Sequence, residues 1–156
     1  MAALTDYAEN KIIDFLFRGQ ALGITGASAA AGTGPTSLFM ALFTAASTET
    51  GGGTEVTGGS YARVAVTSSL ANWAGTQAAA SSVASTGTGG TTSNNAAITF
   101  PAPTAAWGVI NSYAIFDAVT AGNMLIYGAL TANKTVNSGD AAPSFVAAAL
   151  TFQLDN

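Results

Sequence analysis

Residues 106–130, AWGVINSYAIFDAVTAGNMLIYGAL, constrain this chain more than any other stretch. Two apolar runs, 109–116 and 124–130, flank a break at 117–123 that holds Asp, Thr, Gly and Asn. Runs rich in Val, Ile, Tyr and Phe around a Gly-containing break predict a β-hairpin. In the first run Val109, Asn111, Tyr113 and Ile115 share one face, and Ile110, Ser112, Ala114 and Phe116 share the other. Neither face is charged. Both are therefore expected to be covered, one by the protein's own core and the other by something else. The hairpin is expected to form the middle of a sheet.

Upstream, DYAENKIIDFLFR at 6–18 has helical spacing, with Asp6 and Glu9 resembling a capping box and Gly19 placed as the C′ residue. Arg18 lies at the negative end of the helix dipole. Ile12, Ile13, Phe15, Leu16 and Phe17 are dense enough to make more than one helix face apolar, so all five are candidate partner contacts on a helix that also docks a neighbour. A small-residue linker is expected at 19–35. Strands are expected at 36–45, 61–67, near 70–77, at 95–100 and at 145–154. Exposed Gly/Thr/Ser loops are expected at 46–60 and 85–94, and a turn at 137–140. Short alternating strands between Gly-rich turns indicate a mainly β chain: an antiparallel β-sandwich, jelly-roll-like or Ig-like, with one N-terminal α-helix. The expected organisation is a single domain, 1–156, with the helix at about 6–18, the linker at 19–35 and the sandwich at 36–156.

Charge decides what such a domain can meet. Only 8% of the residues are Asp, Glu, Lys or Arg, against about 25% in a typical soluble domain. Five of the twelve charges (Asp6, Glu9, Lys11, Asp14 and Arg18) fall in the first eighteen residues, and the net charge is −4. A monomer of this mass should expose roughly 7,000 Å². So few charges over that area point to surface covered by other protein, because interface cores are depleted of charge. The acidic balance argues against a nucleic-acid partner. The apolar runs are too short for a membrane span. Asp6 and Glu9, preceding any apolar stretch, do not suit a secretory signal.

No motif for catalysis is present. The chain has no His and no Cys, which removes the usual general base, the thiolate nucleophile and the commonest metal ligands. Glu49, Glu55, Asp117 and Asp140 could meet as a glycosidase pair only by folding, and each sits in a turn-like context. The Gly-rich stretch at 26–37 lacks the Lys of a phosphate loop. Asp117 with Asn123, or Asn137 with Asp140, offers at most part of a calcium shell. No catalytic residue, metal or cofactor is therefore expected. Trp73, Trp107, Tyr61, Tyr113 and Tyr127 could line a sugar-binding surface. Core packing is the commoner use of strand aromatics and is expected of Trp107, whereas Trp73 stays a candidate partner contact.

Several stretches resemble small bacteriophage virion structural proteins of the tail-fibre-like or capsid decoration type. They are LTDYAENKIIDFLFRG, SLFMALFTAA, GGGTEVTGGSYAR at 51–63, ITFPAPTAAWG at 98–108, AIFDA at 114–118 and LTANKTVNSGD at 130–140. The resemblance implies a phage-encoded structural component whose partners are other virion proteins, the major capsid protein or tail proteins. It also implies a homo-oligomer, a trimer being the form expected of decoration proteins. Long fibres carry repeats or shafts, which this chain lacks. The leading expectation is accordingly a non-enzymatic capsid decoration, or cement, protein on the outer surface of the shell. The alternative is a tail or tail-fibre component that contacts host surface glycan.

Overall fold

The computed structural model describes residues 4–24, 32 and 34–154; residues 25–31 and 33 of the linker expected at 19–35 lie outside them. The elements are α1 (Asp6–Arg18), β1 (Ser37–Ala45), β2 (Thr54–Glu55), β3 (Val64–Thr67), β4 (Thr91–Ser93), β5 (Ile98–Thr99), β6 (Gly108–Phe116), β7 (Met124–Val136), β8 (Ser144–Phe145) and β9 (Thr151–Gln153). The fold is mainly β and sandwich-like, with antiparallel sheets, one helix and no closed barrel. Two compact units divide the chain. One comprises Met1–Ser37, Thr67–Ile98 and Phe145–Asn156; the other comprises Leu38–Val66 and Thr99–Ser144.

The second unit is built on the expected hairpin. Strands β6 and β7 pair antiparallel, β1 pairs with the other side of β6, and the order β2-β1-β6-β7 leaves β7 at the edge, with β3 also on β1. Strand β1 is buried on both faces: Leu38, Met40 and Leu42 point one way, Ala41 and Phe43 the other. One sheet face gathers Ala41, Phe43, Ala114 and Phe116, with Phe39 and Met124 against them. The Phe43 and Phe116 rings stack 6.3 Å apart. Strand β7 runs on to Val136, six residues beyond the expected end of its apolar run, before the turn at 137–140. Residues 61–63 do not join β3; the Tyr61 and Arg63 side chains both bond to Glu55.

The first unit packs α1 on irregular chain. Thr5, not Asp6, caps the helix, accepting from the Ala8 N–H, while Gly19 closes it at φ 66° and its N–H donates to the Asp14 carbonyl. Its core stacks Phe17 on Phe152, with ring centres 5.1 Å apart, and sets Trp73 against both. The strand expected near 70–77 does not form. Trp73 makes only a single bridge to Asn94, and its carbonyl is taken by the Arg18 side chain rather than by a neighbouring strand. The loop expected at 85–94 is exposed only in part: β4 pairs with β9, and Thr92, Ser93 and Asn94 are buried. The strand expected at 95–100 shortens to β5. The strand expected at 145–154 splits into β8 and β9 around Ala148, whose φ is +61°. Asn94 makes that break possible. Its amide donates to the Ala96 and Val146 carbonyls, its side-chain oxygen accepts from the Leu150 N–H, and its own carbonyl accepts from the Ala148 N–H.

Candidate functional site

The partner-contact candidates on α1 separate by face. Ile13 and Phe17 are buried, as is Trp73, which is wholly enclosed. The Phe17 and Trp73 rings meet 5.0 Å apart, and none of the three exposes more than 2% of its surface. The ring of Trp73 is therefore unavailable as a sugar platform. Ile12, Phe15 and Leu16 are half-buried, and they are what remains of the helix's candidate contact residues.

The helix's charges also turn inward. Arg18, fully buried, donates to Asp14 Oδ1 at 2.6 Å, to the Trp73 carbonyl at 2.9 Å, to the Val83 carbonyl at 2.6 Å and to Ser85 Oγ at 3.1 Å, with a longer bond to Ser81. Asp14 in turn accepts from the Ser85 N–H and hydroxyl. A residue placed by sequence at the helix C-terminus for its charge is thus the pin that holds α1 to residues 73–85. The guanidinium's five donors in a planar fork fit it to this task where an ammonium would not.

A second clasp lies in the other unit. Arg63 holds Glu55 through two parallel bonds, Nε to Oε1 at 2.9 Å and an outer nitrogen to Oε2 at 2.7 Å. Its remaining nitrogen donates to the Ala118 and Ala121 carbonyls in the β6–β7 turn, and its guanidinium lies 3.6 Å over the Phe116 ring. The bond to Glu55 is the main reason Arg63 holds its proton more tightly than usual. The Tyr61 hydroxyl donates to Glu55 Oε1 and accepts from the Leu42 N–H, which closes an edge of β1. Burial, chiefly, pushes this phenol well above its ordinary range. Trp107 stands edge-on to Tyr61, and its indole N–H donates to the Gly59 carbonyl, so its role is packing, as expected. An open groove of about 440 Å³ runs along Glu55, Tyr61 and Arg63 to the turn residues Val119–Ala121.

The four carboxylates considered for catalysis do not converge through hydrogen bonds. Glu55 is committed to Arg63 and Tyr61. Asp117 accepts from the Asn123 N–H and amide, bonds that hold its carboxyl below the ordinary range. Asp140 accepts from the Asn137 N–H. The two pairs that could have begun a calcium shell are therefore turn fastenings. Among the described residues no group of three or more acidic, His or Cys side chains is placed to hold a metal, and no helix is long and apolar enough to cross a membrane. The sequence points to Arg18 only through the helix dipole and to Glu55 only as a loop carboxylate, and it does not pair Glu55 with Arg63. The only hint for that pair was an acid and a base flanking a Gly-rich turn.

What these side chains define is a β-rich protein whose polar groups fasten its loops. Comparison with known families narrows the class. The chain belongs to the family described as Podophage GP4 fiber I protein gp80, whose model matches residues 3–153. It is thus a phage tail-fibre-like structural protein, a component of the virion. No curated protein matches the chain.

Proposed function

We propose that this protein is a non-enzymatic part of the tail-fibre apparatus that fastens to other virion proteins through its uncharged surface. The observation that carries the reading is the family match over nearly the whole chain, to a family described as a fibre protein. It favours the tail-fibre alternative over the capsid decoration role that compactness and low charge had put first. The arrangement of side chains is in keeping with it: the polar groups that could have done chemistry are bonded into clasps and turns. Host glycan, where the protein meets it, would be met by the exposed Gly/Thr-rich loops rather than by Trp73. Capsid decoration is the second reading, favoured by the scarcity of surface charge. Gold-labelled antibody and copy counting on purified virions separate the two. A handful of copies at the tail is expected; hundreds across the shell would overturn the fibre reading in favour of decoration.

A further inference from the structure

We propose that residues 127–129 of β7 form a strand-pairing interface with a second copy of this chain, antiparallel and related by a two-fold axis at Gly128. Strand β7 is the outermost member of its sheet and the only long one with an open edge among the described residues. An open edge presents a row of backbone N–H and C=O groups that only another strand satisfies in full. The usual protections are weak here: from Met124 to Asn133 there is no charge and no Pro. Bulges do bound the stretch. Residues Ile126–Ala129 keep unbroken register with β6, facing Ile115, Tyr113 and their neighbours, and the register shifts on either side. The bends confine pairing to this stretch, and Tyr127–Ala129 is the part of it that is symmetric about Gly128.

The sequence of this segment suits itself. Antiparallel pairing about Gly128 sets Tyr127, 47% exposed, across from Ala129 of the second copy, large against small, and does so twice by symmetry. On the opposite face Gly128 has no side chain of its own, and the Tyr113 ring and hydroxyl cover it, the hydroxyl 2.7 Å from where a Cβ would lie. No charge meets a like charge. With a single long edge per chain, a head-to-tail ring has no second edge to use, whereas a two-fold pair closes on itself. Edge pairing this short buries less than the roughly 1,200 Å² of a stable interface, so the contact is weak in isolation and is reinforced where the virion holds copies side by side. The inference stands whether the protein sits on tail or shell.

The absence of cysteine allows a direct test. Directly opposed residues in an antiparallel pair have Cα atoms about 4.5–5.5 Å apart, within the roughly 4.4–6.8 Å that a disulfide spans. Full-length chains carrying Tyr127→Cys and Ala129→Cys, mixed at high concentration under mild oxidation, should give a mixed cross-linked dimer in several-fold greater yield than either chain alone. Val109→Cys, at another exposed strand position, should give none. Tyr127→Lys should weaken self-association at least tenfold by sedimentation while leaving circular dichroism unchanged. The proposal is overturned if folded chains give no mixed cross-link, if the Val109 control cross-links equally, if association survives Tyr127→Lys, or if β7 cross-links in virions only to a different protein.

Discussion

Replacing Arg18 by Met tests the pin that holds α1. The side chain is fully buried, and its methylene stem is matched well enough by Met that the change is mainly one of charge and hydrogen bonds. It leaves the buried Asp14 carboxylate with only Ser85 as a partner, and it strips the Arg18 bonds from the Trp73 and Val83 carbonyls. Removing one member of a buried ion pair costs roughly 3–5 kcal/mol. The orphaned carbonyls belong to the same network, so their penalties fall largely inside that range rather than adding to it. With a urea slope of about 2 kcal/mol per M, the midpoint should fall by about 2 M. The two tryptophans make the assay specific. Trp73 lies in the first unit and Trp107 in the second, so urea titration by fluorescence in a Trp107→Phe background reads the first unit alone. Replacing the pair together, Arg18→Met with Asp14→Leu, removes the uncompensated charge and should recover most of the loss. A single-variant cost below about 1 kcal/mol, set against the range for breaking a buried pair, would refute the reasoning. So would a double variant no more stable than Arg18→Met.

Arg63→Met should cost about 2–4 kcal/mol by denaturant titration, since it loses charged bonds to Glu55 and to the turn, and amide exchange at 118–122 should quicken as the turn is released. Tyr61→Phe leaves the Leu42 N–H without its acceptor and should cost about 1–3 kcal/mol. Because the folded phenol's pKa is raised, its contribution is full below the ordinary value of 10.0 and is lost as pH climbs through the folded value; an ultraviolet titration should show Tyr61 ionising late. Asp117 shows the opposite sign. Its lowered pKa gives stability that is present above the ordinary 3.8 and lost as pH falls through the folded value, so Asp117→Asn should flatten that part of the acid denaturation curve. Gly59→Ala puts a Cβ 2.9 Å from the Ala105 carbonyl at a φ of +55° and should lower the melting temperature by several degrees, about 1–3 kcal/mol of backbone strain.

The hairpin was readable because alternation and turn composition are local signals: β6 begins and ends, and β7 begins, close to where they indicated. The helix was readable for the same reason. What escaped notice is structure made by side chains bonding to distant backbone. Trp73 sits in a segment that looks like a strand, yet Arg18, 55 residues away, takes its carbonyl. Asn94 falls in a Ser/Thr/Gly run that reads as an exposed loop, yet it is buried and organises 146–150. The continuation of β7 through Ala-Asn-Lys-Thr was hidden because an edge strand there needs no apolar face. Of the candidate contact residues, spacing alone could not say which of five neighbouring apolar positions on α1 turn inward; that depends on where Trp73 and Phe152 lie.

The scarcity of charge becomes more pronounced once the structure is known. Glu9, Asp14 and Arg18 are buried, and Glu55 and Arg63 are spent on one another. Among the described residues this leaves Asp6, Lys11, Glu49, Asp117, Lys134 and Asp140 to face solvent. They are spread along the sequence, and Asp117 and Asp140 are already engaged in their own turns. Apolar side chains such as Val83 and Val146, each more than 60% exposed, stand in the same surface. A partner approaching it meets few ions to desolvate and so avoids the cost that makes charged interfaces expensive to assemble. Such a surface is in keeping with the proposed attachment to other virion proteins. It also predicts weak dependence of assembly on salt, because screening acts on charges the interface scarcely has.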